Sequence, residues 1–409
     1  MDSLHNTASS IEETIAKAKK LQEKHGITRL ADITNFSRIN LPVWIGLRPN
    51  AKCLSQSAGK GLTSESALLS ALMEGIEVSY AENVNTNNAV KAKARISKIS
   101  GYECIRIDNY PSRPMIPITE EISWIPIENL ATNEKVYAPI EILSLDFRKS
   151  KNNNLGPKKI VTTSNGVASG GDITEATVSA LLEVIERHSI TIKLRMKEEY
   201  TLLNLNQFKS KQVDRVIKEV EYGGGKLMVF DSTTVEGVYA VEALLWSEDL
   251  SNPICHGSGA SLSLEIAILR AILEANQAST IMLSGSRDDI TKSMYTVMNN
   301  NDHILKKTES MIVNTWSPQQ QQYIEITPEE ELTEIIEKLN NYNHQPIYRH
   351  IFSKPEDPIA AVKVLVPKME GYYMNGYKAV SDEGREIEGR TTKKEEATGV
   401  IDLAAGGGI

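Results

Sequence analysis

The stretches Ser70–Glu77 (SALMEGIE) and Ser179–Glu186 (SALLEVIE) repeat one acidic pattern, each with two glutamates three residues apart. Residues at that spacing share a helix face, so Glu74 with Glu77, and Glu183 with Glu186, form side-by-side carboxylates that repel unless a cation lies between them. Neither copy contains histidine, which separates both from the Glu-x-x-His pattern of iron and manganese bundles. All-oxygen ligation suits Mg²⁺, which takes one or two carboxylates and is completed by water and phosphate oxygens. The repeat therefore predicts a magnesium site bridged by a nucleoside triphosphate. A lone Glu-x-x-Glu is usually a solvated helix face. The same apolar partners beside both pairs argue instead for a face set against the core.

Each copy follows a segment of small residues, Ser57–Gly61 (SAGKG) and Ser164–Gly171 (SNGVASGG). We read both as loops whose backbone N–H groups approach anionic oxygens ahead of a helix N-terminus. The segments before them, Ile39–Leu54 and Lys159–Thr163, read as strands, and the second acidic helix runs over Ile173–Thr191. A fainter third unit has a strand at Val238–Trp246, a loop at Gly257–Ser261 and a helix at Leu264–Thr280 carrying Arg270, Glu274 and Gln277. Three β-loop-α units predict an internally repeated α/β core. Lys60 and Arg187 supply positive charge, although Arg187 reads equally as a structural counterion. Lys60 lacks the upstream glycine and following Ser or Thr of a Walker A loop, which excludes a standard P-loop. Asp172 and Glu175 have capping-box spacing. Ser70 and Ser179 read as small packing residues, with no Ser-His-Asp arrangement around them. His188 reads as a helix-surface or hydrogen-bonded core histidine.

The remaining elements frame these units. Ser10–His25 reads as an amphipathic helix with a Ser10/Glu13 capping box and a stop at Gly26. Asn83–Ala89, Lys149–Lys158 and Pro318–Gln322 read as loops, Thr327–Asn340 as a helix and Ile359–Pro367 as a late strand. The expected organisation is an N-terminal helical segment over 1–38, a catalytic domain over 39–380, and a polar, glycine-rich tail over 381–409 that is mobile or ordered only by contact. A net charge of −8 and a pI near 5.6 argue against a general nucleic-acid binder. The three cysteines, Cys53, Cys104 and Cys255, form no CxxC pair, so no disulfide framework or thiolate zinc site is expected. Without a signal pattern or a long apolar run, a cytoplasmic protein with no membrane partner is expected.

With these motifs in place, the chain resembles the YcaO family. Its members carry Asn/Ser-x-Gly-Lys-Gly followed by Ser-x-x-x-Glu-x-x-Glu-Arg, then Ser-Asn-Gly-x-x-x-Gly and a second such helix. Those patterns fall here on Ser57–Val78 and Ser164–Arg187. Family-like features continue through Arg270–Gln277, Gly285–Asp289 and Val362–Pro367, so the likeness covers roughly 40–370. The resemblance implies a YcaO fold with ATP and Mg²⁺ as cofactors. It assigns Glu74, Glu77, Glu183 and Glu186 to the metal, and Lys60, Ser70, Glu175, Arg187, Glu274, Gln277 and Arg287 to the nucleotide. Catalytic weight falls on Glu74, Glu183 and Arg187. Such enzymes phosphorylate the oxygen of a peptide backbone amide; a side-chain nucleophile then gives an azoline, sulfide a thioamide, and an amine an amidine. Val78 stands where the family often has arginine. The segment Pro42–Asn50 (PVWIGLRPN) resembles the TfuA-associated branch, and no proline follows Pro367, unlike the proline-rich tails of azoline formers. The expectation is thioamidation of a ribosomally made peptide or protein with a TfuA-like partner. The alternatives are a cyclodehydratase with a leader-binding partner, and a nucleotide-binding accessory protein. Homodimerisation is expected by family analogy alone.

Overall fold

The computed structural model describes residues 9–110, 121–148, 162–196, 200–247, 253–287, 290, 301–318, 326–342, 346–371 and 379–387. The chain opens with α1 (Ile11–Lys19), β1 (Arg29–Asp32), β2 (Val43–Leu47), β3 (Gln56–Lys60) and α2 (Ser64–Glu82). It continues through β4 (Val90–Lys93), β5 (Lys98–Ile99), β6 (Tyr102–Glu103), β7 (Glu121–Asn129), β8 (Lys135–Pro139) and α3 (Ile140–Leu143). The second unit is β9 (Val167–Gly170) and α4 (Ile173–Met196), followed by β10 (Tyr200–Leu203), α5 (Lys211–Tyr222), β11 (Gly225–Asp231) and β12 (Tyr239–Ser247). The third is β13 (Cys255–Ser261) and α6 (Leu264–Ser284); then come α7 (Asn301–Ser310), β14 (Ile312–Trp316), α8 (Pro328–Asn341), β15 (Tyr348–Ile351) and β16 (Ala360–Leu365). The main sheets run β1-β2-β3, β13-β12-β11-β10-β14 and β4-β7-β15-β16-β9, with β8 paired to β7.

Most of the three small-residue segments read as loops is strand, although Ser164–Gly166 form a turn ahead of β9. Their glycines lie beneath the helix that follows, not around an empty cradle. A Cβ on Gly59 would come within 2.1 Å of the backbone of Ala67 and Ala71, one on Gly170 within 2.4 Å of Ala176 N, and one on Gly257 within 2.1 Å of Ala275 N. Helix and strand pack too closely there for any side chain. Strand alternation turns the intervening residues, Lys60, Ser169 and Ser258, to the opposite face. Each helix covers its own strand and reaches the next: α2 touches β9, α4 touches β13, and α6 touches β3. The units thus close into a ring.

Local chemistry starts and stops these helices. The Thr63 side chain caps α2 by accepting from Ser66 N–H, and the Asp172 carboxylate accepts from Glu175 N–H at 2.9 Å to start α4. α6 has the length and apolar composition of a membrane span, yet Ala267, Ile268, Leu269, Ala271, Ile272 and Leu273 are all buried in a core shared with α5 and the five-stranded sheet. Sandwiching explains an apolar surface running most of the way round this helix.

Several boundaries differ from expectation. The expected strand Ile39–Leu54 is extended only over Val43–Leu47 within β2. Beyond it the chain turns around the buried Arg48–Glu82 ion pair, and Glu82 accepts from Lys52 N–H at 3.0 Å and Cys53 N–H at 2.9 Å. The N-terminal segment is not solely helical or separate, because β1 pairs with β2 and α1 packs on α2. Its helix ends at Lys19, and turns carry the chain to Gly26, whose φ is +68°. The start of the expected tail is built in: Ser381 is buried and Glu370 accepts from its hydroxyl at 2.7 Å and its backbone N–H at 2.9 Å. The expected loop 149–158 and residues 159–161 of the strand before β9 lie outside the described residues; Thr162 and Thr163 are not strand.

Candidate functional site

The eleventh residue of α2, α4 and α6 is Glu74, Glu183 and Glu274; the fourteenth is Glu77, Glu186 and Gln277. Ring closure brings these equivalent positions to one place. Each unit's acid is held by a side chain from the strand of the next unit. Ser169 on β9 donates to Glu77 at 3.4 Å, Ser258 on β13 donates to Glu186 at 2.6 Å, and Lys60 on β3 pairs with Glu274. Glu74 accepts in addition from Ala58 N–H at 2.8 Å.

The electrostatics divide the row in two. Burial raises the Glu74 carboxyl above its ordinary value, against the opposing Ala58 hydrogen bond. Burial, reinforced by Glu183 and Glu74, pushes Glu77 well above it. Burial takes Glu183 to about 7 although Arg187 opposes the rise, its Nε lying 3.7 Å from Glu183 Oε1. Burial and the neighbouring Glu274 raise Glu186. Glu274 alone is lowered: burial pushes it up, but Lys60 and Arg187 outweigh that. The first two units therefore hold carboxylates short of positive charge, and the third holds one saturated with it.

Among the described residues no three His, Cys, Asp or Glu side chains converge as a closed metal shell. The carboxylates form an open row, which is how Mg²⁺ is held when water and phosphate complete its octahedron. The donor set fits that ion. It is all oxygen, half-buried, and mutually repelling without a cation. Glu74, Glu77, Glu183 and Glu186 would hold it.

The other expected residues surround this row. Ser70 lies one turn before Glu74, half-buried, and Gln277 one turn after Glu274. The Arg287 charge acts on Glu74 from just beyond α6; Asp288 and Asp289 lie outside the described residues. Glu175 is buried and accepts from Gly171 N–H at 2.9 Å, so in this structure it braces the start of α4. His188 is the hydrogen-bonded core histidine, its Nδ1 accepting from Glu370 N–H at 3.0 Å. Ser169, Ser258 and Lys363 were missed. Lys363 is 2 % exposed, donates to Thr163 O at 2.6 Å, and faces Glu183; burial lowers its ammonium to about 8. The two serines were hidden by the loop reading, whereas strand alternation from Gly170 and Gly257 points straight to them.

A ring of strand–helix pairs with a carboxylate row, flanked by Lys60 and Arg187, defines a magnesium-dependent nucleotide enzyme without a P-loop. The family model "YcaO cyclodehydratase, ATP- and Mg²⁺-binding" matches residues 58–370, and the chain belongs to the YcaO family. ATP and Mg²⁺ are thus the cofactors of this chain. The chain is 27% identical over 399 residues to an uncharacterised protein in the tfuA 3′ region of Rhizobium leguminosarum bv. trifolii, covering 92% of this chain and 93% of that one. YcaO from Methanopyrus kandleri, solved with AMPPCP and Mg²⁺, shares its fold at TM-score 0.72 and 22% identity, over 94% of this chain and 96% of that one. A heterocyclase in complex with substrate and cofactor matches at TM-score 0.77 and 16% identity; the likeness covers 94% of this chain and 55% of that longer one.

Proposed function

We propose that this chain uses Mg·ATP to phosphorylate the oxygen of a backbone amide in a ribosomally made peptide or protein, and that the final product is a thioamide made with a TfuA-like sulfur-delivering partner. The observation that carries the activating reading is the row Glu74, Glu77, Glu183 and Glu186, half-buried and short of positive charge. Metal ions there neutralise charge that develops on the transferred phosphoryl group. Lys60 and Arg187 are placed to hold anionic oxygens beside it. The serines of the row are already donors to Glu77 and Glu186, which favours catalysis by positioning over an enzyme nucleophile. Dependence on ATP is the reason to place the reaction in the cytoplasm.

Sulfur as the incoming atom is supported by the relative from the tfuA 3′ region. Cyclodehydration to an azoline is the second reading, favoured by the family model's description and by the heterocyclase fold. Coexpression with the proteins and small open reading frames encoded beside it, followed by mass spectrometry, separates the two. Exchange of oxygen for sulfur is the expected result. Loss of water would replace it with the azoline reading, and an unmodified peptide with ATP bound but never consumed would make this chain an accessory protein.

A further inference from the structure

Beyond Lys60 and Arg187, the third unit carries an imidazole with no assigned role. His256 lies on β13 two residues before Ser258, so both side chains leave the same face of the strand. Ser258 donates to Glu186 and sits 3.5 Å from Glu274, which puts His256 one strand repeat from the carboxylate row. Cross-strand register sets Glu242 of β12 directly opposite Ser258, and Glu242 Oε2 holds His256 Nε2 at 2.8 Å. The other oxygen of Glu242 accepts from Ser232.

The pair is unevenly buried. The Glu242 side chain is 4% exposed and that of His256 37%, so the acid is sealed in the sheet while the ring is partly accessible. A buried carboxylate on one ring nitrogen fixes the orientation of the ring and leaves the other nitrogen to act outward. No described residue hydrogen-bonds Nδ1.

We propose that His256, anchored by Glu242, is a third cationic contact for the polyphosphate of the nucleotide, with Nδ1–H donating to an anionic oxygen beside Lys60 and Arg187. The inference rests on the nucleotide reading of the row. Lys60, Arg187 and His256 all act on Glu274, one carboxylate facing three cations. Glu274 thus marks the point on which the three positive charges converge. The groups facing the ring are Glu242 from β12, Glu274 from α6 and Glu186 from α4. Burial alone would lower the imidazole, but the hydrogen bond and charge of Glu242, with the two other carboxylates, raise it above 6.5.

The test is the affinity of the full chain for Mg·AMPPCP, measured by calorimetry at about pH 6 and about pH 9, either side of the imidazole titration. H256Q is expected to bind about tenfold more weakly than wild type at the lower pH, as for loss of one charge-assisted hydrogen bond, with the gap closing at the higher pH. H256R keeps a fixed cation and is expected to restore affinity and remove this difference in pH dependence. E242Q keeps the ring and serves if H256Q fails to fold; with the anchoring bond and the raising charge gone, it should weaken binding near neutrality. Binding by H256Q within about twofold of wild type at both pH values, while E183A/E186A loses binding, overturns this inference alone. Absence of Mg·AMPPCP binding by wild type overturns it together with the nucleotide reading.

Discussion

The second and third units carry a glutamate at the same helical position, Glu183 on α4 and Glu274 on α6, yet the two carboxyls are shifted in opposite directions. Each helix packs on the strand of its own unit and carries an acid reached by the next strand of the ring, Glu186 on α4 and Glu274 on α6. The difference lies in what that strand offers. Ser258, a neutral donor, meets Glu186 of the second unit; Lys60, a cation, meets Glu274 of the third. A neutral donor leaves the carboxylates needing a metal. A cation satisfies its acid and also presents a basic surface. On the proposed reading, one repeated frame makes a metal side and a phosphate side, with Gln277 in place of a second acid in the third unit.

The largest expected effect comes from removing the metal side. E183A/E186A should lower ATP-dependent turnover by at least about a thousandfold, since metal ions supply several kcal/mol of charge stabilisation. Its melting temperature should match or exceed that of wild type in EDTA, because repelling buried charges are gone. A parallel loss of structure by circular dichroism would refute the division. The third unit should behave in the opposite way. K60M strands the Glu274 carboxylate and should cost about 2 kcal/mol in urea unfolding, less than a fully sealed pair because both side chains are partly exposed. K60M/E274L should recover most of that. If K60M is as stable as wild type, Lys60 does not neutralise the third unit. A smaller effect is expected at the connecting hydroxyls: S258A should weaken Mg²⁺ affinity about tenfold, as for other groups that orient a ligand. Unchanged affinity in a titration with Mg²⁺ would make Ser258 a packing residue.

Much of this division was legible from spacing. Glu74/Glu77 and Glu183/Glu186 fall on matching faces because a helix fixes the geometry of residues three apart. What spacing could not convey was the ring. Contacts of α2 with β9, α4 with β13 and α6 with β3 join residues 92, 72 and 214 positions apart in the chain. Glycine misled for a related reason. Gly59, Gly170 and Gly257 share the composition of phosphate loops, but their smallness serves a close helix, a distinction visible only once the helix is in place. Lys363 sits in a run of valine and leucine that reads as pure core, and only its approach to Glu183 marks it otherwise. The capping box at Asp172 and Glu175 was legible in half: the Asp172 bond formed, while Glu175 bonds Gly171 in place of the cap residue.

The smallest effect tests whether Glu183 is short of positive charge in the metal-free protein. Its carboxyl titrates near 7 in the fold against 4.5 in the unfolded chain. Between those values the folded state retains a proton that the unfolded state has lost, so stability falls as pH rises through that window and is level above it. Partial solvent access limits the loss to about 1 kcal/mol. E183Q cannot lose the proton. In EDTA it should therefore be more stable than wild type by that amount at about pH 8 and equal to it at about pH 4. Added Mg²⁺ should reverse the order at the higher pH, because only wild type gains the full binding energy. An equivalent E274Q variant should show no gain in EDTA, since the wild-type acid is already neutralised by Lys60. A gain there as large as that of E183Q would mean that the two sides of the site are electrostatically alike.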